Sequence, residues 1–199
     1  MTVALDLKKY VRWFVGLSWL VVACHVAAQS NASASITRIE PTVLRGQLSI
    51  DIDSDLRLND TMQRALSRGV PLVFSIDLQI ERPRWWWFNK TIVDTALQRR
   101  LSFDTLTRSW RVSTGDLSIT AGSFADAMKA LRHVHNWPIV LTDRFEPQIQ
   151  YIGRVRIRLD SDQLARPLQM DTINRTDWTL VSPWQSFEFS IRRLSSNGS

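Results

Sequence analysis

The sequence predicts a mainly β fold: an antiparallel β-sandwich-like domain with two short helices, placed after an N-terminal signal helix. The first observation behind this prediction is a period-two alternation of apolar and polar residues, clearest at positions 72–80 and 148–159. Such alternation is typical of antiparallel strands with one face on a core and one in water. The second is that turn and helix-cap residues separate these short segments. Two sheets packed face to face fit the pattern best, and one open sheet covered by the two helices is the alternative.

The first 28 residues have the organisation of an export signal. Three basic residues within positions 1–12 precede an apolar run at 13–23, and small residues at Ala27 and Ala28 precede a polar stretch. This is the order of regions in a secretory signal. The apolar run has 11 residues, too few for a helix to cross a hydrocarbon core about 30 Å thick. We therefore expect export to the periplasm, with membrane contact only if the signal helix is retained or Cys24 is lipidated.

Cys24 leaves a second way of processing the signal open. Cleavage after Ala28 would make Gln29 the first residue of a soluble periplasmic protein. However, the four residues that end at Cys24 resemble a bacterial lipobox, in which the cysteine becomes the lipid-modified N-terminus of a membrane-anchored lipoprotein. Cys24 is the only cysteine in the chain. Disulfides, thiol catalysis and cysteine-based zinc sites are therefore excluded from the mature domain.

Four segments are predicted along the chain: a signal peptide at 1–28, a flexible linker at 29–35, a single β-rich domain at 36–192 and a disordered tail at 193–199. Roughly 170 residues remain after the signal, which is a usual size for one domain. A domain of this size buries enough apolar surface to fold without a disulfide or a metal.

The first half of the domain is predicted to contain strands at 35–40, 46–53 and 72–80. Asn59 is the expected N-cap of a helix over 61–68, which ends at Gly69. Pro83 ends the third strand, because proline has no amide hydrogen to donate to a neighbouring strand.

The second half is predicted to contain strands at 85–93, 99–105, 109–113, 148–159 and 187–191. The strand at 148–159 is expected to be the longest, with three arginines on the face opposite its apolar residues. Ser123 is the expected N-cap of a second helix, whose apolar stripe includes Phe124, Ala127 and Leu131.

An aromatic run at positions 85–88 is the strongest anomaly in the sequence. Consecutive strand residues point to opposite faces, so both faces of a strand here would be aromatic. Packing on both sides against the core and a helix is one interpretation. The other is a ligand groove or partner interface, in which tryptophan supplies contact area and arginine the rim. The predicted binding residues are Arg82, Arg84, Trp85, Trp86 and Trp87, and the predicted partner is an envelope protein.

The patterns that would indicate a metal site or a catalytic centre are incomplete. Asp51, Asp53 and Asp55 are not followed by the glycine and glutamate that a calcium loop requires at its sixth and twelfth positions. His133 and His135 have no third ligand nearby in sequence. No Gly-x-Ser-x-Gly elbow and no glycine-rich phosphate loop occurs. We therefore predict no catalytic residue, no metal site and no cofactor, and we do not expect an enzyme.

The net charge is modest and spread along the chain. The formal value is +6, and the basic residues are interspersed with acidic ones. Interspersed charge is typical of a solvated surface, whereas a nucleic-acid-binding protein normally shows a dense basic patch and a recognisable motif. No nucleic-acid partner is therefore expected, while binding to anionic lipid headgroups or to an acidic partner stays open.

An ordered set of short sequences between residues 36 and 190 resembles a known family. The set comprises Ala65-Leu66, Gly69-Val70-Pro71-Leu72, Arg82-Pro83-Arg84-Trp85-Trp86-Trp87-Phe88, Arg100-Leu101-Ser102-Phe103, Leu106-Thr107-Arg108, Phe124-Ala125-Asp126-Ala127, Leu159-Asp160, Leu164, Pro167-Leu168-Gln169, Trp178, Ser182 and Trp184. Together they are similar to the exported proteobacterial proteins of domain-of-unknown-function family 4390. Members of that family often carry tyrosine in place of Trp86 and proline in place of Ala165. The resemblance implies export in a Gram-negative bacterium and implies no particular activity.

The function predicted from the sequence is that of an exported, non-enzymatic accessory or binding protein. An envelope lipoprotein anchored through Cys24, with a structural or assembly role, is the alternative. A third hypothesis is a hydrolase of envelope polymers, which would need paired acidic side chains in a cleft.

Overall fold

The structure is a computed structural model that describes residues 31–44, 47–84, 86, 89–141, 145–163 and 177–191. The predicted signal peptide, Cys24 and the C-terminal tail lie outside these residues. Within the described ranges the chain forms nine strands and two α-helices. The strands are β1 (Ser33–Leu44), β2 (Gln47–Arg57), β3 (Leu72–Arg82), β4 (Lys90–Asp104), β5 (Ser109–Thr114), β6 (Leu117–Ala121), β7 (His133–Leu141), β8 (Gln150–Leu159) and β9 (Gln185–Ser190). The helices are α1 (Asp60–Ser67) and α2 (Phe124–Arg132).

The strands form two antiparallel sheets of unequal width. The smaller sheet has three strands in the order β1-β2-β7, and the larger has six in the order β6-β5-β4-β3-β8-β9. Buried side chains from both sheets and both helices form one hydrophobic core. The predicted fold class, an antiparallel sandwich-like domain with two short helices, is confirmed.

Period-two alternation decides which face of each sheet meets the core. In β8, Tyr151, Val155 and Ile157 are at most 2% exposed, while Arg154 and Arg156 lie on the opposite, more exposed face. The same pattern recurs in β2, where every second residue is buried. The alternation seen in the sequence therefore identifies the core face of these strands.

Two of the predicted strands are a single strand, β4, in the structure. The segments predicted at 85–93 and 99–105 belong to one strand, Lys90–Asp104, paired with β3 from Arg82↔Lys90 to Leu72↔Leu101. Residues 94–98 alternate only weakly in hydrophobicity, so the sequence suggests that two strands are separated there. In the structure these residues pair with β3 without interruption. With 15 residues, β4 exceeds the 10 residues of β8, so the prediction that 148–159 is the longest strand is wrong.

The sequence does not predict β6 or β7. In β6, four of five residues are exposed, so its alternation gives no clear burial signal. Strand β7 begins at His133, directly after Arg132 ends α2, and no turn residue marks the change from helix to strand. At the other end of the domain, β1 begins at Ser33, so residues 33–35 belong to a strand and not to the predicted linker.

Both helices begin at the predicted caps. The side-chain oxygen of Asn59 accepts a hydrogen bond from the Met62 amide at 2.8 Å, and Ser123 Oγ accepts one from the Asp126 amide at 3.1 Å. Gly69, at φ 84°, ends α1 in a left-handed conformation that glycine adopts without strain. In the described residues, neither length nor hydropathy allows any helix to cross a bilayer.

Asp77 organises the outer face of the large sheet. Its carboxylate accepts hydrogen bonds from Ser75 Oγ at 2.7 Å, Arg156 Nε at 3.0 Å and Arg158 Nε at 3.1 Å. Burial acts to raise the pKa of Asp77, but these three hydrogen bonds outweigh burial and leave the pKa below its ordinary value. The guanidinium of Arg156 also lies 4.5 Å from the ring centre of Trp184. The Asp77 carboxylate therefore holds Arg156 in position against the Trp184 ring.

Replacement of Asp77 by Asn is expected to lower the free energy of unfolding at neutral pH by about 1–3 kcal/mol, the order expected for hydrogen bonds to a charged group. Folding lowers the pKa of Asp77. As the pH falls, the unfolded chain therefore takes up the proton at a higher pH than the folded domain does. The stabilisation is therefore complete above the unfolded pKa of about 3.9 and is lost as the pH falls through the folded value. Urea unfolding of wild type and Asp77→Asn from pH 7 to pH 3 measures this, and a difference that does not shrink on acidification would contradict it.

Gly153 allows an aromatic side chain to cover β8. Gly153 pairs with Phe187 of β9, and a Cβ added at Gly153 would overlap the Phe187 ring. The ring in turn stacks on Phe189, with ring centres 5.9 Å apart. The position therefore requires glycine because of close approach, not because of its backbone angles.

Gly153→Ala is expected to destabilise the domain by about 1–3 kcal/mol, because the added methyl group displaces the Phe187 ring. The same substitution in a Phe187→Ala background is expected to cost much less, since the ring is absent. Urea unfolding of the two single variants and the double variant gives the coupling energy. If the losses of stability in the two single variants add up to the loss in the double variant, the overlap with the Phe187 ring does not cause the destabilisation by Gly153→Ala.

Candidate functional site

A cleft opens between the large sheet and the helix α2 together with strand β7. Its volume is about 620 Å³, which lies in the range of pockets that hold small ligands. One wall is the inner face of β4, β5 and β6. The other wall comes from α2 and from residues 133–138 of β7.

The cleft exists because the smaller sheet does not reach the edge of the larger one. Leu117 and Ile119 of β6 pair with Thr114 and Val112 of β5 and so point to the same inner face. Val112 is 2% exposed, whereas Ile119 is 56% and Leu117 is 78% exposed. The inner face of the large sheet therefore changes from buried core to open surface within one strand.

Apolar side chains dominate the walls of the cleft. Beside Leu117 and Ile119, the apolar lining consists of Leu97, Val112, Ala130, Val134, Trp137 and Pro138. Exposed apolar surface of this kind on a folded protein commonly marks a binding site.

Arg99 is the buried charged side chain that lines the cleft. It lies on the core face of β4, opposite Phe74 of β3, and is 7% exposed. Its Nε donates to Thr114 Oγ1 at 3.2 Å, and its Nη1 donates to the carbonyl oxygens of Leu131 at 3.0 Å and His133 at 2.8 Å. Among the described residues, no carboxylate lies within ion-pair distance of Arg99, and burial lowers its pKa.

The hydrogen bonds of Arg99 also explain how α2 is placed. Leu131 is in the last turn of α2, where backbone carbonyls have no partner within the helix and carry a partial negative charge. The Arg99 guanidinium satisfies these carbonyls at the point where α2 becomes β7. Arg99 therefore joins the large sheet to the α2–β7 junction.

The rim of the cleft carries polar and titratable groups. Lys129 and Asp126 are exposed on α2, and the Asp126 carboxylate accepts a hydrogen bond from Ser123 Oγ at 2.6 Å. His133 Nδ1 lies 2.7 Å from Asp53 Oδ1, and this hydrogen bond is the main cause of the lowered pKa of Asp53. Asp126 and His133 therefore already have hydrogen-bond partners within the domain.

A bulge shapes the β7 side of the cleft. The pairing of β2 with β7 shifts between Ile50 and Ile52, and Asn136 has a φ of 50°. Asparagine tolerates this left-handed conformation better than most residues. The Asn136 amide donates to Asp51 Oδ1 at 2.6 Å, which holds the bulge against β2.

The binding residues predicted from the sequence lie at the other end of the β3–β4 hairpin. Arg82 makes an ion pair with Glu146, Arg84 is exposed, and Trp86 is 68% exposed. Trp85 and Trp87 lie outside the described residues. Lys90 begins β4 at this turn, about 23 Å from Leu97 at a rise of about 3.3 Å per residue. The turn and the cleft are therefore separate surfaces.

The aspartate string and the two histidines lie together on the outer face of the small sheet. Asp51 binds the Asn136 amide, Asp53 contacts His133, and Asp55 lies 3.7 Å from Arg132. The rings of His133 and His135 are parallel, with centres 6.1 Å apart. Among the residues that the structure describes, no three His, Cys, Asp or Glu side chains are grouped as metal ligands.

The sequence reasoning missed the cleft and Arg99. The available signal was the alternation Leu97-x-Arg99-x-Leu101, which places a cation on the apolar side of a strand. A second signal was the pair Leu117 and Ile119 after the turn at Gly115. Neither shows by itself that the two segments face the same opening.

The family model described as domain of unknown function DUF4390 matches residues 31–188. No curated protein matches the chain, and no solved structure matches it. The match covers all the strands that form the cleft, so the residues described above belong to the matched region.

Proposed function

The chain belongs to the DUF4390 family, whose domain has no assigned function, and we propose that it is an exported, non-enzymatic binding protein that holds a ligand in the cleft. The cleft is the observation that carries this proposal. An opening of about 620 Å³ with mainly apolar walls and a few polar groups has the character of a ligand site. The exposed side chains of Leu117 and Ile119 would be covered by a bound ligand.

The groups at the cleft favour binding over hydrolysis. A glycoside hydrolase needs two carboxyl groups about 5 to 9 Å apart. Asp126 is the one carboxylate among the described lining residues, and it already bonds to Ser123 at the start of α2. His133 uses Nδ1 to contact Asp53. The hydrogen bonds of Asp126 and His133 to their neighbours are consistent with a role in positioning a ligand.

The turn that contains Arg84 and Trp86 gives the proposal a second surface. Both side chains are exposed, and the turn is remote from the cleft. We propose that it contacts an envelope protein while the cleft holds the ligand. An accessory protein with two separate surfaces could bring a ligand to a partner.

Export and anchoring form the other part of the proposal. The order of basic, apolar and small residues in positions 1–28 supports export to the periplasm. Cleavage after Ala28 gives a soluble protein, and the lipobox-like sequence that ends at Cys24 supports the alternative of an anchored lipoprotein.

Expression of the full chain in a Gram-negative host is expected to give a periplasmic protein whose first residue is Gln29. Mass spectrometry of the intact mature protein measures this directly. A diacylated Cys24 at the N-terminus would establish the lipoprotein alternative instead. An uncut chain in the cytoplasmic fraction would contradict export.

Filling the cleft is expected to weaken binding. Ala130 lines the cleft on α2, and Ala96 is exposed on the outer face of β4, so Ala96→Phe is a matched control for Ala130→Phe. We expect wild type and Ala96→Phe to bind an environment-sensitive apolar dye equally. Ala130→Phe should bind it at least about tenfold more weakly, a loss of about 1.4 kcal/mol.

Dye fluorescence titrations measure the affinities, and circular dichroism confirms that all three proteins are folded. Equal affinity of a folded Ala130→Phe would place the dye elsewhere and reject the cleft as the ligand site. Absence of dye binding by wild type would also reject it.

A further inference from the structure

We propose that the ligand of the cleft is an amphiphile with an apolar chain and a single carboxylate head group, and that Arg99 binds the head. This inference rests on the proposed function, because it names the chemical class of the ligand for the same cleft. It follows from the hydrogen bonds of Arg99, from the charges at the cleft and from the composition of the walls.

The first step is a count of the donors on Arg99. A guanidinium group has five N–H donors. The Nε hydrogen goes to Thr114, and the two Nη1 hydrogens go to the carbonyls of Leu131 and His133. Within the described part of the chain, the two Nη2 hydrogens have no acceptor. Both hydrogens are on one nitrogen, so they do not form the two-nitrogen fork of a bidentate pair, but they can donate charge-assisted hydrogen bonds to an anionic oxygen such as that of a carboxylate.

The second step concerns charge. A buried cation is costly unless a counter-ion or several hydrogen bonds compensate it. The carbonyls of Leu131 and His133 supply only the partial charge of a helix end, and no described carboxylate pairs with Arg99. An anionic head group would supply the full compensating charge at a side chain that is 7% exposed.

The third step concerns the rest of the cleft. At the rim, Lys129 carries a positive charge and Asp126 a negative one, so the buried guanidinium of Arg99 gives the described lining its excess of positive charge. Beyond Arg99 the walls are mainly apolar and continue to the exposed Leu117 and Ile119. A cation at one point and an apolar surface beyond it complement an anionic head followed by an apolar chain.

An extended peptide fits these features less well. Addition of a strand to β7 would meet Pro138, which has no amide hydrogen, and the bulge at Asn136. Backbone pairing at the edge of β6 would leave Arg99 without a role. The observations therefore favour a small amphiphile over a peptide strand.

The test uses the mature protein exported by the host and two probes of equal chain length, dodecanoate and methyl dodecanoate, below their aggregation concentrations. Competition with the apolar dye gives both affinities. Wild type is expected to bind the carboxylate about 10- to 100-fold more tightly than the ester, the range expected for hydrogen bonds to a charged group.

Arg99→Gln should remove the preference, so that the carboxylate and the ester bind with equal affinity. Arg100→Gln is the matched control, because Arg100 is the next residue of β4 and is exposed on the opposite face. It should retain the full preference. Arg99→Lys keeps the charge but loses the planar guanidinium that also bonds to Thr114, Leu131 and His133, so an intermediate preference is expected.

Each outcome decides between the proposals. If wild type binds dye, ester and carboxylate equally well, the role of Arg99 is rejected and the binding function stands. If wild type binds none of the three, both proposals fail. If Arg99→Gln is unfolded, the preference of wild type for carboxylate and its reduction in a folded Arg99→Lys remain decisive.

Discussion

The small sheet, with three strands, is too narrow to cover the inner face of the large sheet, which has six. The architecture follows from that difference in width. With strands about 4.8 Å apart, the axes of six strands span about 24 Å and those of three strands about 10 Å. The small sheet packs with β1 near β8 and β9, which leaves the opposite half of the large sheet to be covered in another way. Helix α2 covers part of it by packing on β5 and β6. The uncovered remainder is the cleft.

Arg99 connects this geometry to the chemistry of the cleft. Its guanidinium bonds to carbonyls of Leu131 and His133, so the same side chain fixes the α2–β7 junction and lines the opening. A group bound to its remaining donors would also act on the position of α2. In the proposed binding mode, ligand binding and the stability of this junction would therefore be coupled through one residue.

Local signals in the sequence were sufficient for several elements and insufficient for the site. Asn59 and Ser123 identified both helix starts, because capping depends on residues only three positions apart. Strand β8 was evident because one of its faces is buried along its whole length. Strand β7 was not, because its conformation depends on pairing with β2. The cleft depends on the relative widths of two sheets, and the burial of Arg99 depends on carbonyls more than 30 residues away.

The pairing of β2 with β7 also joins distant parts of the chain. His133 and Asp53 are 80 residues apart, and Arg156 and Asp77 are 79 apart. Contacts of such sequence separation slow folding. A nascent chain that ends before His133 can form only the β1–β2 hairpin of the small sheet, and an isolated hairpin is marginally stable in water. The small sheet is completed by β7 and the large sheet by β8 and β9, so a chain cut anywhere before β7 would leave both sheets incomplete.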